Sequence, residues 1–225
     1  MSAEVQSYLV QPLLWLATAA LSLWLWRRHV GALLPAGPWP LGVGLVLGLM
    51  QLAFYVITGL VRGFGSTPYG RTPSLLALNL WFMAARLAGV ELARAVLVCA
   101  LDRRRAWLGL AAGWLLPWLF QVGLWAFGWV SSPASAFSLT ARSLLPAATE
   151  NALATYLVAL GGPGASLTYR GVLALFAVLA PALPKLSALT AALLGICAPL
   201  VGWLVASEWV RHRRAQALPE VQPQS

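Results

Sequence analysis

Residues 74–100 read SLLALNLWFMAARLAGVELARAVLVCA, a long apolar run that nonetheless carries Asn79, Arg86, Glu91 and Arg94. The run has the length of a membrane span, and a charge at the bilayer centre costs roughly 2.5–3.5 kcal/mol on insertion scales. Such charges are tolerated only where they turn inward and find partners. At about 100° per residue, Asn79 and Arg86 point almost the same way, Arg94 lies about 80° round from Arg86, and Glu91 about 60° further. All four fit on one side of a helix, leaving the opposite side to lipid. The stretch therefore predicts a membrane helix bundle with a polar seam.

The rest of the chain has the same character. Of its 225 residues 60% are hydrophobic and 9% charged, against roughly 25% charged in soluble domains, and the mean hydropathy is +0.77. The net charge of +9 would point to nucleic acid in a soluble protein. Here the basic residues gather at span ends, where they set topology, so lipid is the expected contact and nucleic acid is not. Cys99 and Cys197 fall in or beside apolar runs and read as packing residues. The first residues lack a basic leader region, and the first apolar run ends in Trp26-Arg27-Arg28 without a small-residue cleavage site. That pattern predicts a retained span.

The expected architecture is all-α: a polytopic transmembrane bundle of about seven spans, at residues 8–26, 41–61, 74–100, 106–129, 143–160, 171–180 and 186–205. The links are a Pro-rich segment with Pro35, Pro38 and Pro40, a turn-rich loop at 62–73, a Ser- and Ala-rich loop at 130–142, and a Gly-rich loop at 161–170. Residues 1–210 form one domain, and 211–225 a basic, then polar, disordered cytoplasmic tail. Gly44-x-x-x-Gly48 reads as close helix packing. Pro117 predicts a kink. The sixth segment is short enough to cross only with its flanks, or to be re-entrant. Counting all seven puts Arg27, Arg28, Arg103–Arg105, Arg170, Arg211, Arg213 and Arg214 inside, and Arg62, Arg71, Arg142 and Lys185 outside. That asymmetry predicts an N-terminus outside and a C-terminus inside.

The ionisable groups expected within the membrane are Arg86, Glu91, Arg94 and Glu150, the last beside Asn151. Pairing across the third and fifth spans neutralises them, and Glu91 with Arg94, three apart, can also pair on their own helix. Two readings stay open: a salt-bridge network that holds helix register, and a polar cavity for a substrate or proton. The residue types argue against known intramembrane proteolysis. Gly164-Ala165-Ser166 resembles the start of a rhomboid serine motif, but His29 and His212 sit at span ends. The one aspartate, Asp102, lies in a basic cluster, which leaves no dyad of aspartates. No HExxH or other zinc-ligand set occurs, and the lone lysine, Lys185, reads as a surface residue. No cofactor or metal is expected.

Two groups of short motifs then carry a resemblance. One is Gly63-Phe64-Gly65-Ser66-Thr67-Pro68-Tyr69 with Thr72-Pro73, Asn79 and Glu91-Leu92-Ala93-Arg94-Ala95. The other is Glu150-Asn151, Ala154-Thr155-Tyr156, Gly161-Gly162, Ala165-Ser166, Tyr169-Arg170 and Pro181-Ala182-Leu183-Pro184. Together, over residues 62–205, they are similar to the multi-pass membrane region that precedes the catalytic domain in a group of signal peptidases from Firmicutes and archaea. This chain departs from that group in lacking the Ser-Met motif and its later Lys or His base, and in ending on a polar run. Lys185 also stands where the group carries an acidic residue.

The resemblance implies a non-catalytic protein of a prokaryotic plasma membrane that scaffolds a signal peptidase catalytic subunit or presents signal-peptide helices to it. Tyr69, Arg71, Tyr169 and Arg170 are the expected loop contacts. The alternative is a small transporter or channel whose pathway is lined by Asn79, Arg86, Glu91, Arg94 and Glu150.

Overall fold

The computed structural model describes residues 6–29, 39–99 and 103–217. They form a helical bundle: α1 (Gln11–His29), preceded by a π turn at Gln6–Val10; α2 (Trp39–Arg62); α3 (Pro73–Cys99); α4 (Ala106–Val122); α5 (Pro133–Leu139); α6 (Leu145–Gly161); α7 (Pro163–Leu179); and α8 (Ala188–Ala217). Three stretches, Tyr8–Arg28, Trp39–Arg62 and Ala188–Arg213, are long and apolar enough to cross a membrane. At 27 residues α3 is about 40 Å long, but it carries Arg86 at its midpoint and Glu91 and Arg94 beyond it.

Local sequence accounts for most helix limits. Pro73 and Pro163 sit where a helix has no use for their missing N–H, and open α3 and α7. Gly123 and Gly162, both at positive φ, close α4 and α6 through backbone bonds to Leu119 O and Val158 O. Ser132 and Ser135 cap α5 reciprocally.

The helices pack α1 on α3, α2 on α7, α6 on α8, and α4 on α3 and α6. A Cβ at Gly44 would overlap the Ala165 carbonyl, and one at Gly48 would lie 2.9 Å from Tyr169 O. The expected small-residue approach is thus the α2–α7 contact. The apolar core follows from it: Val43 and Leu47 pack with Leu153, Ala154, Leu157, Ala165 and Tyr169.

The bundle has two distinct ends. At one, Tyr8 donates to Asn79 Oδ1 (3.4 Å), Trp81 Nε1 to Tyr8 O (3.3 Å), and Arg71 Nη1 to Leu179 O (3.1 Å). The same end holds a small antiparallel ribbon, β1 (Phe64–Ser66) with β2 (Ala182–Pro184), in register Phe64↔Pro184 and Ser66↔Ala182. At the other end Pro40 packs on Gly161, Gly109 abuts the Leu97 and Val98 carbonyls, and the Arg213 guanidinium lies 4.8 Å from the Trp39 ring centre.

Several expectations change. The loop expected at 161–170 is a single linking residue, Gly162, and the short sixth segment is a full helix of 17 residues beginning at Pro163. Tyr169 and Arg170 therefore lie in the helix interior and are not loop contacts, and Arg170 drops out of the charge count at span ends. The loop at 130–142 is largely helical, and the fourth span ends at Val122, with a 3₁₀ segment at Leu124–Trp129. Pro117 stays inside α4. A ribbon appears in the loop at 62–73, where only turns were expected. The basic cluster from Arg211 continues α8 to Ala217, so the first part of the tail is helical. Pro35, Pro38, Asp102 and residues 218–225 lie outside the described residues.

Candidate functional site

The interior polar residues converge where α3, α4, α6 and α7 meet. Arg94 is fully buried, and all three of its guanidinium nitrogens are used. Nε donates to Glu91 Oε2 (3.0 Å) and Nη2 to Glu91 Oε1 (3.2 Å) and Asn151 Oδ1 (2.6 Å). Nη1 faces the carbonyls of Gly113 (3.1 Å) and Asn151 (3.0 Å) and Thr155 Oγ1 (2.9 Å). This fork reaches α4 because Gly113 has no side chain to hold that helix away.

Arg170 forms the second node. Its Nη1 donates to Glu91 Oε1 (3.1 Å), its Nε to Glu150 Oε1 (3.1 Å) and its Nη2 to Gln121 Oε1 (2.9 Å). Asn151 Nδ2 also donates to Gln121 Oε1 (2.7 Å). Glu91 thus accepts from two guanidiniums with no exposure of its own, while the Glu150 side chain is 20% exposed. Among the described residues every buried side-chain nitrogen and oxygen has a partner. Charge-assisted bonds of this kind are the strong ones in a low-dielectric interior.

Arg86 stands apart. Among the described residues it makes no hydrogen bond or ion pair, and it lines two cavities instead. The upper cavity, about 580 Å³, has polar walls at Tyr8, Tyr69, Asn79, Gln121, Glu150 and Arg170. The lower, about 590 Å³, is walled mostly by Leu14, Trp15, Ala93, Leu97 and Leu116. A third space of about 770 Å³, beside Tyr55, Ser135 and Arg142, shares Gln121 and Glu150 with the upper one.

Asn79, Arg86, Glu91, Arg94, Glu150 and Asn151 therefore do gather along one seam, in two groups: the network proper and the cavity wall. Tyr69 lines the upper cavity, and Arg71 is exposed at the ribbon end. The expected pairing of α3 with α6 runs through Arg170, a residue whose sequence surroundings predict a loop. The signal for it was present: Ser166, Tyr169, Arg170 and Leu173 share a helical face once Pro163 is taken as a helix start. Tyr169, fully buried, donates to Gln51 Oε1 (2.5 Å), a pair between α2 and α7 that nothing in the sequence singled out. Ser166 is buried; its hydroxyl donates to Pro163 O (3.2 Å) and also lies beside the Glu91 carboxylate, which is itself held by two guanidiniums. No group of three or more potential metal ligands occurs among the described residues.

No protein family, curated protein or solved structure matches this chain.

Proposed function

We propose that this protein is a non-catalytic integral membrane scaffold, similar to the membrane region of signal peptidases, that holds a separate protease or presents signal-peptide helices to it. The observation that carries this reading is the closed network: Glu91 and Glu150 are both committed to guanidiniums. Groups tied down in this way hold α3, α4, α6 and α7 in register, and are poorly poised to move a proton or attack a substrate.

In this proposal the chain crosses a prokaryotic plasma membrane seven times, α5 and α6 making one crossing, with the N-terminus outside and the C-terminus inside. The grouping of the helix ends supports that count. The ribbon joins the C-terminal ends of α2 and α7, which alternate crossings would put on one side. Tyr8 meets the start of α3 at the same end. Arg213 meets the start of α2 at the other, where the positive-inside rule favours basic clusters. The outer end, with Tyr69, Arg71 and the ribbon, is then the docking face.

A photo-crosslinker at Tyr69 or Arg71 in native membranes tests this. The expected product is an adduct with a signal peptidase catalytic subunit; adducts with lipid alone at both positions would remove the reading. The three spaces that share walls at Glu150 and Arg86 favour one alternative, a small transporter or channel. Solute flux in liposomes, lost on Glu150→Gln, would identify that activity.

A further inference from the structure

Among the described residues the interior holds three guanidiniums, Arg86, Arg94 and Arg170, against two carboxylates, Glu91 and Glu150. The carboxylates are bonded to Arg94 and Arg170, so the charge left over belongs to Arg86. It lies midway along α3, 13 residues from Pro73 and 13 from Cys99, about 20 Å from either helix end. A guanidinium at that depth is too far from the bilayer surface for headgroups in their usual position to neutralise it.

The space around Arg86 is divided by polarity. The upper and lower cavities are contiguous, because Gln11, Phe82, Arg86, Val90, Pro117 and Phe120 border both. Above Arg86 the walls offer Tyr69, Asn79 and Gln121; below it they are mostly apolar down to Leu97, with Thr18 and with Arg94, whose guanidinium is held by Glu91. Glu150 and Arg170 also face the upper space, but they are paired with each other and their fields at Arg86 oppose one another. The rim of the lower cavity is formed by Leu14, Leu116 and Phe120, which are 62%, 41% and 67% exposed. These sit on α1 and α4, on the outer surface of the bundle.

We infer that the paired cavities around Arg86 bind one anionic lipid, its phosphate on the Arg86 guanidinium, its polar headgroup beside Asn79 and Gln121, and an acyl chain in the lower cavity. The order polar groups, a guanidinium unpaired among the described residues, mostly apolar space repeats the order of headgroup, phosphate and chain along such a molecule. A guanidinium suits the phosphate because its planar fork donates two parallel hydrogen bonds. The exposed apolar rim gives the chain a route from the bilayer. This inference does not depend on a protease docking at the outer end.

The test uses the purified full chain, stripped of lipid in non-ionic detergent and titrated with phosphatidylglycerol, phosphatidylcholine or glycerol 3-phosphate while native mass spectrometry reads the bound fraction. Phosphatidylglycerol should bind at least ten-fold more tightly than phosphatidylcholine, and Arg86→Gln should abolish that preference. Glycerol 3-phosphate, which has the anion without the chain, should not compete. Ala93→Phe fills the lower cavity and should weaken phosphatidylglycerol binding about ten-fold, which keeps the inference testable if Arg86→Gln fails to fold. Equal binding of the two lipids by the unaltered protein would overturn it, as would full affinity in Ala93→Phe. Competition by glycerol 3-phosphate at equal concentration would mean a free-phosphate site instead. Equal lipid binding would leave a carboxylate-bearing partner helix as the way to neutralise Arg86.

Discussion

Arg86 and Arg94 lie two turns apart on α3, and their surroundings differ completely. Arg94 fills every donor position against Glu91, Asn151, Thr155 and Gly113, so Arg94→Met would leave Glu91 buried with only Arg170 to face it. Breaking a buried pair in this way costs about 3–5 kcal/mol, and equilibrium unfolding in mixed micelles should read a loss of that size. Among the described residues Arg86 has no ion pair to lose, so Arg86→Gln should change stability by less than about 1 kcal/mol in the same assay. Glu150→Gln should fall between them, because the carboxylate is partly exposed and Arg170 keeps Glu91. The inward-facing charges and the Glu91–Arg94 spacing were legible in the sequence, since both follow from helix periodicity. The role of Arg170 was not: it depends on a long-range approach of α7 to α3 and α6.

At the scale of elements, α7 illustrates how a small local feature changes a whole reading. Gly161-Gly162-Pro163-Gly164 has the composition of a loop, yet one glycine at positive φ followed by a proline at the first helical position turns the chain without a loop at all. The α2–α7 contact it sets up depends on the missing side chains of Gly44 and Gly48. Gly44→Leu should force the helices apart and cost about 3 kcal/mol, the upper end for overpacking, whereas Gly42→Leu, with nothing near its Cβ position, should be close to neutral. Both are measured by unfolding in micelles. The ribbon makes a separate prediction. With Cys99 and Cys197 replaced by alanine, Ser66→Cys with Ala182→Cys should form a disulfide under mild oxidation, because the two are directly paired. A mass shift of two hydrogens checks it.

Over the whole molecule, the helix ends sort into two groups, and the basic residues of α1, of the turn Arg103–Arg105 that leads into α4, and of α8 fall at one of them. A fluorescent reporter on the C-terminus is accordingly expected in the cytoplasm, and a cysteine at Tyr69 should label with an impermeant maleimide added outside the cell; the opposite pattern in both would reverse the proposed orientation. The amino-acid sequence by itself determined the helical class, the positions of most helices and the inward turn of the polar seam, because hydropathy, helix periodicity and capping act over a few neighbouring residues. Which charge met which, the exclusion of Arg86 from the network, and the ribbon between α2 and α7 were decided only by tertiary structure. Helices that are apolar nearly all round carry no stripe to orient them, so their partners are chosen by where small residues permit close approach and by where buried charges can be neutralised.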